Sequence, residues 1–312
     1  MQKVVFLLFF SFSIIPSVKS QFFDASRNWQ RYRHEVYLGA GVSNYMGDLG
    51  GLDRKAVKVF LFDLEFSQFK NSFQGSHRYN ISYRGALNQK LFYGKISGSD
   101  ALTAQPQRNN RNLSFESRVI SYSISYEYHI LRSRPGHIYN LKGAKGTGSN
   151  PIGFYVFAGF GGFYYNPKAE YNGEMVELRK LGTEGQGIPG NPSKYKPFSI
   201  CVPTGLGATL RLPFNLKLGS EFTYYFTFTD YLDDVSGFYF DNDLIREYNG
   251  DVAAAMADRS IGGPAGWTTA GAIRGNPKNN DGYLSLIFSL TYTFKSKKFG
   301  PQRPDKHPFL RK

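Results

Sequence analysis

Across residues 283–294 the chain alternates without interruption. Leu284, Leu286, Phe288, Leu290, Tyr292 and Phe294 fall on one side of an extended backbone, and Tyr283, Ser285, Ile287, Ser289, Thr291 and Thr293 on the other. Neighbouring side chains of a strand point to opposite faces, so one face is apolar and the other mostly hydroxylated. A strand of about 9 to 11 residues tilted near 45° spans a bilayer's hydrocarbon core, whereas soluble strands run about 5 to 6. The length points to a membrane strand.

Seven further segments read as strands: residues 35–46, 57–69, 78–88, 115–130, 152–165, 199–212 and 214–229. In 214–229, Leu216, Leu218, Phe222, Tyr224, Phe226 and Phe228 oppose Lys217, Glu221, Thr223, Tyr225 and Thr227. In 115–130, Ile120, Tyr122, Ile124, Tyr126, Tyr128 and Ile130 oppose Ser121, Ser123, Ser125, Glu127 and His129, while 57–69 sets Phe60, Phe62, Leu64 and Phe66 against Asp63, Glu65 and Ser67. Segment 152–165 is apolar on both faces, which leaves its register open. An even number of strands closing on itself leaves no unpaired edge, as lipid requires. The expected fold is an all-β, eight-stranded antiparallel transmembrane barrel of the outer-membrane type with long extracellular loops. A soluble β-sandwich also alternates, but it needs neither apolar faces of this length nor so many aromatics on them.

Composition agrees with this reading. The chain holds 28 Phe, 22 Tyr and 34 Gly, and its single Cys201 rules out a small disulfide-stapled secreted domain. Residues 1–20 carry Lys3, an apolar run from Val4 to Ile15, and Val18-Lys19-Ser20 before the expected cleavage point, the layout of a secretory signal. The expected organisation is a signal peptide over 1–20, a periplasmic lead over 21–33, the barrel over 34–294 and a basic periplasmic tail over 295–312.

Eight staves leave no room for a channel, because side chains fill so narrow an interior. Glu35, Asp63, Glu65, Glu127 and Glu221 point inward and can pair with Arg78, Arg84, Arg211 and Lys217. A salt-bridged plug explains this near balance better than an acid/base pair does.

With both termini in the periplasm, residues 47–56, 89–114, 166–198 and 230–282 face outward, and 70–77, 131–151 and 212–213 face inward. Segment 131–151 carries Arg132, Arg134, Lys142 and Lys145 with no acid, or +4. The tail carries Lys295, Lys297, Lys298, Arg303, Lys306, Arg311 and Lys312 against Asp305, or +6. The lead adds +2 and Lys70 adds +1, so these segments together slightly exceed the +12 left when Lys3 and Lys19 are removed from the formal +14. The last outer loop holds nine acids and four bases, or −5. A one-sided basic face steers acidic partners. Arg132, Arg134, Lys142, Lys145, Lys295, Lys297, Lys298, Arg303 and Lys306 are therefore the candidate docking residues, with a solvated tail or contact with outer-membrane lipid head groups as the plainer reading. No aromatic-basic nucleic-acid motif occurs.

Two local signatures then stand out: Gly41-Val42-Ser43-Asn44-Tyr45-Met46-Gly47-Asp48-Leu49-Gly50-Gly51, and Thr229-Asp230-Tyr231-Leu232-Asp233-Asp234-Val235-Ser236. With the closing Gly282-Tyr283 strand, they make the chain resemble the PorG-like outer-membrane barrels of the Bacteroidetes type IX (Por) secretion system and their sister proteins. The resemblance spans essentially the whole mature chain. It implies an eight-stranded barrel that is not an enzyme and that contacts the periplasmic ring proteins of a secretion complex, a lipoprotein and its partner. The long outer loops, above all 230–282, and the extended basic tail depart from the family. Gly47, Asp48, Gly50, Gly51, Asp230, Tyr231, Asp233 and Asp234 form a rim motif on strands that flank the closing strand. Asp48, Asp230, Asp233 and Asp234 offer hard oxygen ligands for calcium, but turn and capping roles are favoured because no interleaved ligand loop is present.

Enzyme readings find little support. Of His34, His77, His129, His137 and His307, only His129 has a local constellation, with Ser125 or Glu127, and no oxyanion donor set accompanies it. No Walker loop, His-Glu-x-x-His or paired-Cys zinc pattern occurs, and Gly159 to Gly162 belong to a strand, so no cofactor or small-molecule substrate is implied. Action through the outer loops, in adhesion or a structural role, is the alternative function. Within them 251–258 reads as a short helix with Asp251 at its cap.

Overall fold

In a computed structural model of the chain, residues 29–30, 32–49, 68–103, 105–133, 150–264 and 266–295 are described. Nine strands form one antiparallel sheet: β1 (His34–Met46), β2 (Lys70–Asn80), β3 (Gly85–Ser99), β4 (Ser114–Leu131), β5 (Ile152–Tyr171), β6 (Glu174–Glu177), β7 (Phe198–Arg211), β8 (Leu216–Thr227) and β9 (Gly282–Phe294). The order β4-β3-β2-β1-β9-β8-β7-β5 is closed by a β4–β5 pairing, so eight staves make a barrel without a free edge. Strand β6 is a short arm on β5, joined through Asn172 and Gly173, both at positive φ as a tight two-residue hairpin requires.

Most of the alternation transfers directly. On β9 the face with Phe288, Leu290, Tyr292 and Phe294 points to lipid, while Tyr283, Ser285, Ile287, Thr291 and Thr293 are buried. On β5 the undecided register resolves with Phe154, Val156 and Phe160 outward and Tyr155, Phe157, Phe163 and Tyr165 inward. Gly159 lets β4 approach closely, since a Cβ there would lie 2.6 Å from the Cα of Ser125. On β4 the outward run from Ile120 to Ile130 covers ten residue steps. At about 3.3 Å each and a tilt near 40° these rise roughly 25 Å, the height of a barrel's apolar band.

The second and third staves differ from expectation. The strand paired with β1 is Lys70–Asn80 and the next is Gly85–Ser99, so the expected strand over 78–88 straddles a turn and the expected inner connection over 70–77 is itself a stave. Strand β2 presents Asn71, Gly75 and His77 as well as Phe73 and Tyr79 on its outward side, a diluted apolar face. Within the turn Ile81-Ser82-Tyr83-Arg84 only Ser82 is a turn residue, its hydroxyl accepting from the Gly85 N–H at 2.7 Å. Residues 57–67 of the expected second strand, including Asp63 and Glu65, lie outside the described residues, as does the expected signal peptide. Lys70 moves from the mouth where the termini lie to the opposite end, where it pairs with Ser43.

That opposite end is roofed. Helices α1 (Pro106–Arg111), α2 (Leu178–Leu181), α3 (Asn242–Asn249) and α4 (Asp251–Ala257) sit in the connections there. Ile188, Ile245, Ala253, Ala254 and Ala257 form a small core of their own. Asp241 caps α3 by accepting from the backbone N–H of Asp243 and Leu244. The cap position of α4 is Gly250, with Asp251 one residue inside, where its charge meets the positive end of the helix dipole rather than closing it by a hydrogen bond. Leu232, Val235 and Met256 descend from this roof onto Phe92, Phe163, Tyr225 and Tyr283 in the upper lumen.

Candidate functional site

The lumen nearest the termini is held by ions. Arg78 of β2 donates to Glu35 of β1 (3.1 Å) and to Glu127 of β4 (3.3 Å). Lys217 of β8 closes on Glu35 at 2.7 Å. One layer further in, Glu221 accepts from Lys90 (2.7 Å), Gln74 (2.9 Å) and the Tyr155 hydroxyl (2.9 Å). The Arg78 guanidinium lies over the Tyr155 ring at 4.8 Å and the Lys90 ammonium over Phe157 at 3.4 Å. Each charge thus meets an opposite charge and a satisfied hydrogen bond, the condition for burying it. Lys90, expected in an outer loop, is a member that the strand shift hid. Arg84, expected inside, is exposed in the turn, where it donates to the Tyr128 hydroxyl at 3.1 Å. Arg211 is half-buried at the same end and forms no ion pair among the described residues.

His129 does not assemble a catalytic set. Its Nε2 stays 3.9 Å from Glu127, and the Ser125 hydroxyl donates to the Asn88 carbonyl instead. His34 and His77 stack at the termini end at 5.4 Å between ring centroids, and His137 and His307 lie outside the described residues.

Where barrel and roof meet, the rim motif forms a different network. The Tyr45 hydroxyl lies 2.7 Å from Asp233 and 2.6 Å from Asp281, and it accepts from the Asp48 N–H at 3.0 Å. One hydroxyl carries one proton, so two carboxylates on it require a shared proton or one neutral acid. Gly47 is dictated by this pair, because a Cβ there would collide with both Asp281 and the Tyr45 hydroxyl. Asp234 accepts from Thr183 and Tyr195 at 2.6 Å each, and Tyr231 stacks on Tyr195 at 4.6 Å. Arg274 donates to Glu184 (2.9 Å) and to the Asp234 carbonyl (2.7 Å), while Arg111 grips Asp100 with two donors at 2.7 and 2.8 Å. Arg111 also reaches the carbonyl oxygens of Asp48 and Arg274. Burial pushes Asp233 up to about 8 and Asp230 up to about 7; Asp281 is raised well above its ordinary value by burial and by Asp233.

Three of the four candidate calcium ligands are committed to separate partners: Asp48 accepts from the Asn276 N–H, Asp233 from Tyr45 and Val235, and Asp234 from Thr183 and Tyr195, while the fourth, Asp230, is buried. No group of three or more His, Cys, Asp or Glu among the described residues is arranged to hold a metal ion. Gly50 and Gly51 lie outside the described residues. Sequence reasoning named Tyr45 only as part of a signature and missed Asp281, Arg111, Asp100, Arg274 and Glu184 altogether. Their partners are up to 236 positions away, as for Tyr45 and Asp281, and no local spacing announces them.

At the termini end, Arg132 is committed to the neighbouring turn, donating to the carbonyls of Tyr83 (2.6 Å) and Ser82 (3.2 Å). Lys295 is exposed at the end of β9. Arg134, Lys142, Lys145, Lys297, Lys298, Arg303 and Lys306 lie outside the described residues. The segment 132–151 starts from the end of β4 and the tail from the end of β9; β1 begins at this same mouth, where His34 pairs with Phe294.

Among solved structures, Neisserial surface protein A is similar to this chain at 11% identity over 84% of this chain and 97% of that one, with a TM-score of 0.37. The attachment invasion locus protein Ail of Yersinia pestis is similar at 7% identity over 85% and 99%, with a TM-score of 0.37. A major outer membrane protein from Thermus thermophilus is similar at 11% identity over 84% and 99%, with a TM-score of 0.35. No curated protein matches the sequence. The barrel is an integral outer-membrane one by its own geometry, a closed eight-stave sheet with an apolar outer belt. Residues 19–249, most of the chain, match the family described as "Domain of unknown function (DUF6089)", and the chain belongs to that family.

Proposed function

We propose that this barrel is a non-conducting, non-enzymatic membrane anchor that docks a periplasmic protein assembly of the type IX secretion kind through the mouth where its termini lie. One observation carries the reading: the two segments richest in uncompensated positive charge, +4 over 131–151 and +6 over 295–312, leave the barrel at the same mouth. Arg84 in the adjacent turn adds to that side. The plugged lumen supports it, since a barrel that transports nothing must act at its ends. The resemblance of the motifs over 41–51 and 229–236 supplies the class of partner, a ring lipoprotein and its companion. In this orientation the roof is extracellular.

The test is co-purification from mild-detergent membranes. Reversing charge at Arg134, Lys142 and Lys145 together with deletion of 295–312 is expected to abolish recovery of periplasmic partners while the barrel still assembles. Undiminished recovery defeats the proposal. Arg132 is left intact because it braces the turn over 81–84.

A second reading, action through the extracellular roof, is favoured by Phe238 and Ile273, which form an isolated bridge and stand 56% and 74% exposed. Phe238→Ser with Ile273→Ser then abolishes surface binding while a tail deletion is silent.

A further inference from the structure

The outward positions of β1, β7, β8 and β9 carry no Lys, Arg, Asp or Glu, as their alternation shows. On β3, β4 and β5 the apolar belt instead ends, toward the roof, in Lys95, Arg118, Glu116 and Lys168. Register brings these together: Lys95 stands opposite Arg118, Arg118 opposite Asn166, and Glu116 opposite Lys168. Lys95 pairs with Glu116 at 3.0 Å, Lys70 reaches the same carboxylate at 3.9 Å, and Lys168 pairs with Glu177 at 3.2 Å. Arg118 is exposed and has no ion pair or hydrogen bond with another described residue. Directly below it on the same wall lie Tyr93, Ile120 and Tyr122, which are 37%, 45% and 51% exposed.

A cation on a lipid-facing wall is tolerated only near the interface, and that is the depth at which lipid phosphates lie. Guanidinium offers a planar fork that matches two phosphate oxygens, and an adjacent ammonium adds a point charge. We propose that Arg118 and Lys95 hold the uncompensated phosphate of an anionic membrane lipid against the β3–β4–β5 wall, with its acyl chains lying on Tyr93, Ile120 and Tyr122. The source is a lipid rather than free phosphate because the cations continue into the apolar belt without a step, so only an amphiphile fills both. Glu116 tempers the site by occupying Lys95.

The test uses the full chain folded in dodecyl maltoside and native mass spectrometry with equal amounts of dimyristoyl phosphatidic acid and dimyristoyl phosphatidylcholine. The natural chain is expected to retain the phosphatidic acid preferentially. In Lys95→Gln/Arg118→Gln that preference is expected to fall by about thirty-fold, at the usual strength of two interfacial cations. Arg118→Lys keeps part of the preference, and Glu116→Gln strengthens it. Unboiled gels, on which a folded barrel migrates differently from a boiled one, confirm that each variant is assembled. Equal retention of the two lipids, or an undiminished preference in the double variant, overturns the proposal. Inorganic phosphate is expected to leave thermal unfolding unchanged, and stabilisation equal to that by phosphatidic acid overturns the assignment to a lipid.

Discussion

The two halves of this lumen solve the problem of buried polarity in opposite ways. Near the termini, Glu35, Glu127 and Glu221 are each met by a cation, and Arg78, Lys90 and Lys217 come from three different strands to meet them. Beneath the roof the interior is aromatic, with Tyr225 and Tyr283 stacked at 4.3 Å. The carboxylates there, Asp233 and Asp281, share a tyrosine hydroxyl rather than a cation. Cations offset the burial of the lower carboxylates, whereas Asp233 and Asp281, buried on a hydroxyl beside the Arg111–Asp100 and Arg274–Glu184 pairs, are driven toward protonation. The lower half is therefore set by its partners, and the acid pair on Tyr45 by pH.

The largest break in the comparison comes from the ion plug. Arg78→Ala strands Glu127 in a closed lumen and leaves Glu35 with Lys217 alone, and removal of one partner of a buried ion pair costs about 3–5 kcal/mol. Urea unfolding in detergent should shift by that amount, and an unshifted midpoint contradicts the plug. Tyr45→Phe takes the shared proton from Asp233 and Asp281 and should cost about 1–3 kcal/mol, the range for buried acceptors left unsatisfied. Proteolysis should then cut the roof first while the staves remain protected.

The pH response sharpens the contrast further. Asp233 and Asp230 titrate near 8 and 7 in the folded chain, and Asp281 also lies well above its ordinary value. An unfolded Asp titrates near 3.9 (about that value in peptides), so between these limits the folded chain binds more protons than the unfolded one. The contribution of these acids is whole below about pH 4 and is lost as pH rises through the folded values. Amide exchange in the roof should accelerate from pH 5 to pH 8 beyond its intrinsic pH dependence, and Asp233→Asn should flatten that change. The smallest effect is expected at the solvated acids. Asp241→Ala removes the cap of α3 and should cost about 1 kcal/mol, confined to α3 in exchange data.

Strands β1, β4, β8 and β9 were legible because each has one face for lipid and one for the lumen, and the two differ in polarity at most steps. Strand β5 could be located but not oriented, since Phe and Tyr stand on both of its faces, and only the neighbour's register decides which side meets lipid. Strands β2 and β3 were displaced because β2 has a weak apolar face and the turn after it has only Ser82 as a turn residue. The rim motif was visible as a signature, yet its meaning was not. Asp233 and Asp281 reach Tyr45 from 188 and 236 positions away, and the cations Arg111 and Arg274 come from separate connections.

By itself the sequence determined that this chain is a membrane barrel and that its positive charge is concentrated in the connection over 131–151 and the tail. Alternation and charge are properties of single segments, readable without knowing what lies beside them. The tertiary structure alone decided that the last long loop folds into a roof, that Asp233 and Asp281 of that loop turn inward onto one tyrosine hydroxyl, and that Lys95 and Arg118 stand side by side on the lipid wall. Those facts depend on which strands close against each other, and closure is a property of the whole ring.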